Sequence, residues 1–115
     1  MGMLGSYPIV TLSIASTATI PANRFIEDDG TLPAAGGSAL GVTRNASVSG
    51  DLVPVDVMGT CIVEAGGVIA KGGACKVDAA GKVLAHDSTN KIVARALSAA
   101  AADGDLIHVL LIPNA

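Results

Sequence analysis

Gly50-Asp51-Leu52-Val53-Pro54-Val55 and Gly104-Asp105-Leu106-Ile107-His108-Val109 are two versions of one phrase, 54 residues apart in a chain of 115. Each opens with a glycine-aspartate pair that suits a turn and then runs into aliphatic residues that suit a strand. In the first version Val53, Val55 and Val57 alternate with Pro54 and Asp56 as far as Met58, the period-two pattern of a half-buried strand. Pro54 has no N–H to give to a ladder, which points to a sheet edge. Thr60-Cys61-Ile62-Val63 reads as its continuation or neighbour, stopped by Gly66-Gly67. In the second version the run from Leu106 to Ile112 lies between a turn and Pro113, and at seven residues it reads as a buried strand rather than a helix.

Working outward, Ala74-Cys75-Lys76-Val77 and Lys82-Val83-Leu84-Ala85 flank Asp78-Ala79-Ala80-Gly81, whose glycine can take positive φ. That is a hairpin. Ala94 to Ala102 is alanine-rich and free of Gly and Pro, which predicts one short helix ended by Asp103-Gly104-Asp105. Each echoed phrase follows a segment of small residues, 41–49 and 95–103, so two similar halves around the central hairpin would close a small barrel or sandwich.

Ahead of this body, Tyr7 to Ile20 is Thr, Ser, Ile, Val and Ala with Thr11-Leu12-Ser13-Ile14 alternating, followed by a loop rich in Asp, Gly and Pro from Glu27 to Gly37. The composition break predicts an extended N-terminal arm over residues 1–30 and a single compact β-rich body over 31–115. The fold class is therefore mainly β: a small β-barrel or β-sandwich body with one short α-helix and an extended N-terminal arm.

Half of the residues are hydrophobic, yet aromatics make up 2%, so small aliphatics carry the apolar character. A chain of this length buries about 65% of its unfolded surface on folding, and one with a mean hydropathy of +0.59 is left with apolar surface to spare. Burial against other subunits is the natural outlet. The net charge is −3, the seven cations are scattered, and Tyr7 and Phe25 are the only aromatics, so neither phosphate neutralisation nor base stacking favours a nucleic-acid partner. The stretch from Pro8 to Pro21 is too short and polar to span a bilayer, and Arg95, Asp103 and Asp105 interrupt the later apolar stretch, so no membrane segment is expected. With no basic residue before Arg24, the start reads as mature protein rather than a secretory signal.

Catalytic chemistry has few candidates. Lys71 precedes Gly72-Gly73 with no Ser or Thr after it, so there is no phosphate-binding loop, and Gly36 to Gly41 lacks the dinucleotide spacing. His86-Asp87-Ser88 is loop composition without a nucleophile elbow, and His108 sits inside a strand. Asp28 and Asp29 lack the alternating ligands of a calcium loop. Cys61 and Cys75 have no histidine at zinc spacing and read as buried free thiols, with an inter-strand disulfide as the alternative. The chain is read as no enzyme, with no cofactor.

Over about residues 24–112 the order Ala39-Leu40-Gly41-Val42, then Gly50 to Val55, Gly59, Val63, the hairpin from Gly72 to Val83, and Ala94 to Ala102 leading into Gly104 to Val109 resembles the small tailed-phage capsid decoration, or cement, proteins. That family has also carried a recombinase-like label, which the missing ATP-binding loop does not support. The resemblance implies a homotrimer on the outer surface of a phage head, bridging major capsid protein subunits and stabilising the shell. It implies no catalytic residues, and a virion protein made in the host cytoplasm. On this reading Tyr7, Ile9, Val10, Leu12, Ile14 and Ile20 are the candidate capsid-contacting residues of the arm. Val53, Val55, Val57, Ile107, Val109 and Leu111 are the candidate body or subunit-interface residues. The rival from another class is a small ligand- or carbohydrate-binding β-domain displayed on a particle.

Overall fold

The computed structural model describes residues 7–87 and 90–113. Eight strands form one sheet: β1 (Tyr7–Ala15), β2 (Phe25–Ile26), β3 (Gly41–Thr43), β4 (Leu52–Glu64), β5 (Ala74–Val77), β6 (Val83–Ala85), β7 (Ala94–Ala96) and β8 (Leu106–Leu111). The order along the sheet is β2-β3-β4-β8-β7-β5-β6, with β1 added on β4. The two ends of that path meet, because the Phe25 N–H of β2 donates to the Gly81 carbonyl just ahead of β6 at 2.8 Å. The sheet is thereby a nearly closed barrel.

The echo in the sequence is a repeat of structure. Ile20↔Ser47 and Phe25↔Val42 pair in the first half, and Ile69↔Ala100 and Ala74↔Arg95 pair in the second, shifted by 49 residues on one side of the ladder and 53 on the other. Ile14↔Val53 and Leu12↔Val55 between β1 and β4 recur as Val63↔Ile107 and Cys61↔Val109 between β4 and β8. The two glycine-aspartate turns also match. Gly50 and Gly104 have φ of +95° and +94°, which a side chain would resist, and the Asp51 and Asp105 carboxylates each accept backbone N–H groups of their own turn. The 13-residue β4 is common property: its first part ends one unit and its second part begins the next.

The buried side chains form two cores, one within the first unit and one that the second unit shares with Phe25, Ala39 and Val42 of the first. Val53 and Val55 pack with Ile20 and Ile26, whereas Cys61 and Val63 join Phe25, Val42, Val77, Val83, Ile107 and Val109. Residues of one parity on β4 serve different cores on either side of Gly59, whose φ of +100° interrupts the strand's regular geometry. The hairpin forms as expected over β5 and β6, with Gly81 at φ +81° and the Asp78 carboxylate accepting the Ala80 and Lys82 N–H groups.

Three expectations need correction. There is no helix among the described residues, and the segment from Ala94 to Ala102 begins as β7. Ala94 and Ala96 are buried on either side of exposed Arg95 and lie opposite Leu111 and Val109, so tertiary pairing overrides alanine's helical preference. The extended N-terminal arm is replaced by β1, which is paired along its length with β4 of the same chain, and by residues that return into the body: Ser16 N–H bonds to Asp51 O, and Ile20, Phe25 and Ile26 are fully buried. The period-two segment found its partner within the chain because the first unit needs a first strand. Residues 1–6 of the expected arm lie outside the described residues. Pro54, finally, is not on an edge, since β1 and β3 both pair with β4 beside it. Its carbonyl accepts the Arg44 N–H at 3.0 Å, which puts its own missing donor on the same side, just past the end of β3, where the ladder stops.

Candidate functional site

The expected contact residues fall into two groups. Val53, Val55, Ile107 and Val109 are at most 1% exposed in the protomer's own core, Leu111 is buried and Val57 is half-buried. Of the N-terminal set, Ile20 is buried, Val10 and Ile14 are half-buried, and Ile9 and Leu12 are exposed at 76% and 42%. Tyr7 opens β1 opposite Thr60. Ile9 is exposed because the ladder steps from Pro8↔Gly59 to Val10↔Met58 and leaves it unpaired in a bulge. Met58, opposite Val10, is itself 46% exposed, and Leu52, opposite Ala15, is 72% exposed.

The unbroken apolar run reads as a buried strand, which would bury Leu106 and Leu110. They alternate instead with Ile107, Val109 and Leu111 and lie on the outer face. An unbroken apolar run conceals this alternation, and half-polar His108 between Ile107 and Val109 was the signal for it.

Among the described residues Asp56 is the one buried acid, at 2% exposed. Its carboxylate accepts the Thr11 hydroxyl of β1 at 2.8 Å and lies 3.4 Å from the half-exposed Arg44 guanidinium. Around it Asn23, Val42, Thr43, Arg44, Cys61 and Ile62 line a cleft of about 170 Å³ where the first unit meets the second. Ligand sites usually enclose roughly 300–1,000 Å³, so this cleft does not favour the small-ligand reading.

A second group of charges links the strands where the barrel closes. Arg24 donates to Glu64 at 3.2 Å and to the Ala80 carbonyl at 3.0 Å, while Lys82 reaches Glu64 at 3.2 Å and Asp103 at 2.9 Å. Burial raises the Glu64 carboxyl pKa, but hydrogen bonds and charge from Lys82 and Arg24 outweigh it and leave the group below its ordinary value. The Lys82 bond lowers Asp103 likewise, and Lys82 is raised by Asp103 and Glu64. Burial pushes the Cys61 thiol up to about 12, helped by the Asp56 charge, and Cys75 up to about 11. Both cysteines are free, so the disulfide alternative is not realised. Protonated thiols are poor nucleophiles.

His86 Nε2 contacts the Asn90 carbonyl, and the Asp87 carboxylate holds Lys76 at 2.9 Å and the Asn90 amide at 2.7 Å. Ser88 lies outside the described residues. Among the described residues no group of three or more His, Cys, Asp or Glu side chains could hold a metal, and no helix is long and apolar enough to cross a membrane.

The repeated barrel carries exposed aliphatic side chains at Ile9, Leu52 and Met58, and it uses Arg24, Glu64 and Lys82 to hold its closing strands together. A family model described as phage cement protein matches residues 5–111, and the chain belongs to that family of structural phage head proteins, the capsid decoration proteins. Among solved structures, the crystal structure of the head fiber gp8.5 N base in bacteriophage phi29 is similar, with a TM-score of 0.74 at 20% identity over 90% of this chain and 93% of that one. At this identity the likeness concerns the fold. No curated protein matches.

Proposed function

We propose that this protein binds as a homotrimer to the outer surface of a phage head, bridges neighbouring major capsid protein subunits and so stabilises the shell. The observation that carries this reading is the exposed aliphatic side chain of Ile9 in the β1 bulge, with the Val10 and Met58 pair beside it, on a member of the cement family. A bulged, apolar strand presents a surface that water disfavours and a partner can cover. The phi29 neighbour is itself named as the base of a head fiber, which supports attachment to a head. A protein that binds assembled shell and not separated subunits stabilises the shell by mass action. Three linked copies would turn weak single contacts into firm ones. Enzymatic activity has no part in this reading.

The test is cosedimentation with intact shells and with unassembled capsid protein, for wild type and the Ile9→Asp/Met58→Asp variant. Wild type is expected to pellet with shells alone and the variant to lose most of that binding. Wild type that ignores shells overturns the function. A variant that binds at full strength overturns the assignment to β1.

A further inference from the structure

The internal repeat shows how one unit covers another, and both ends of that arrangement are left open. Phe25, Ala39, Val42 and Asp56 of the first unit are all buried, at 1%, 6%, 1% and 2% exposed, and all four lie at or near the junction with the second unit. By the register of the repeat their equivalents are Ala74, Ile92, Arg95 and Leu110. None of these four is buried: Ile92 and Leu110 are 40% exposed each, Arg95 is exposed and Ala74 is half-buried. Ala74, Arg95 and Leu110 stand side by side across β5, β7 and β8, so they form one face.

The receiving side is open at its side chains, while the carbonyl of its turn glycine, Gly30, is held within the chain by the Thr17 N–H at 3.1 Å. Within the chain, the first unit lies against Cys61 and the turn from Asp78 to Gly81, where Phe25 N–H bonds to Gly81 O and Arg24 bonds to Ala80 O. The equivalent of Cys61 is Leu12, exposed at 42% where Cys61 is 2% exposed. The equivalent turn is Glu27-Asp28-Asp29-Gly30: Glu27 N–H to Thr31 O at 2.8 Å and Gly30 N–H to Glu27 O at 3.1 Å repeat Asp78 N–H to Lys82 O at 2.9 Å and Gly81 N–H to Asp78 O at 3.1 Å. Gly30 and Gly81 share φ values of +84° and +81°. This first turn is acidic and exposed at Asp28 and Asp29, opposite in sign to Arg95.

We infer that a second copy of this chain docks head to tail, laying its Ile92, Arg95 and Leu110 face over Leu12 and the acidic turn at residues 27–29, and so repeats between copies the side-chain part of the contact the two units make within one. Apolar groups would meet apolar groups and the guanidinium would meet carboxylates, as affinity and register both require. Such a contact uses two different surfaces, and if its rotation closes it builds a ring. The inference deepens the trimeric reading above by naming the surfaces through which copies meet, and it rests on that reading only for the expectation that copies associate.

Leu12→Cys and Leu110→Cys variants are prepared separately, mixed, and oxidised with diamide, with the buried native thiols left in place. Crosslinked dimers are expected from the mixture and not from either variant alone. Leu110→Asp should weaken self-association about tenfold or more by sedimentation, with the melting curve as the control for folding. Crosslinking of Leu12→Cys to itself, an oligomer that yields no mixed crosslink, or a wild type that stays monomeric at every concentration overturns the head-to-tail contact. A monomer that still pellets with shells would refute this contact and leave shell binding standing, whereas a mixed crosslink in a protein that ignores shells does the reverse.

Discussion

Gly81→Ala tests whether the barrel is closed where Phe25 meets the turn before β6. Gly81 has φ +81°, and a Cβ there would lie 2.7 Å from the Phe25 carbonyl oxygen and 3.1 Å from both the Arg24 Cβ and a Leu32 methyl. Gly72 has nearly the same φ, +84°, with nothing within 4 Å of its would-be Cβ. Both substitutions incur the left-handed backbone cost of about 1–2 kcal/mol. Only Gly81→Ala must also push apart the Phe25 backbone and its 2.8 Å bond to Gly81 O, a further loss of about 2 kcal/mol for a strained closure and a weakened buried hydrogen bond. With a urea slope of about 1.5 kcal/mol/M for a chain this size, the midpoint should fall about 1.3 M further for Gly81→Ala than for Gly72→Ala. The assay is equilibrium urea unfolding of both variants at one protein concentration. Equal midpoints for the two would falsify the closure, because the backbone cost is common to both.

Three further outcomes follow from the same geometry. Ile20→Ala, at a fully buried site in the first unit's core, should cost about 3 kcal/mol in urea unfolding; a loss below about 1 kcal/mol would return residues up to Ile20 to a detached arm. Cys61 and Cys75, with thiols pushed to about 12 and 11, should react with a disulfide reagent at pH 8 only as fast as the barrel opens, and prompt labelling in native buffer would contradict their burial. Glu64 and Asp103 are held below their ordinary values, so the unfolded chain binds protons first on acidification. Their contribution is therefore present above the ordinary value of 4.5 for Glu64 and is lost as pH falls through the lower folded values. Glu64→Gln should flatten that acid limb of the melting temperature, and an unchanged limb would show that the network does not govern it.

Strand identity was legible where alternation or turn chemistry spoke locally. Val53 and Val55, the Asp78 to Gly81 turn and the glycine-aspartate echo all carry their reason in neighbouring residues. Ala94 to Ala96 did not, because alanine fits either state and only the presence of Leu111 and Val109 opposite decides for a strand. β1 misled for a related reason. An alternating Thr-Leu-Ser-Ile segment looks the same whether its partner is in the same chain or another, and the equivalence of Leu12 with Cys61 becomes visible only once the registers are aligned. The exposed leucines of β8 were hidden by hydrophobic neighbours on the inner face. The Asp56 cluster could not be anticipated, since Thr11, Arg44 and Asp56 are brought together by three different strands or strand ends.

Thr60 pairs with Tyr7 on β1 and with Leu110 on β8. The first strand enters and the last strand leaves across a single residue of β4, about two strand spacings or 10 Å apart. A linker of a few residues could therefore join Leu111 to Tyr7 and let new chain ends be cut at an open turn such as Gly72, giving a circular permutant with the same barrel. Anything fused directly ahead of β1 or directly after β8 would leave the barrel at one spot, so a cargo displayed from both would be presented as a pair.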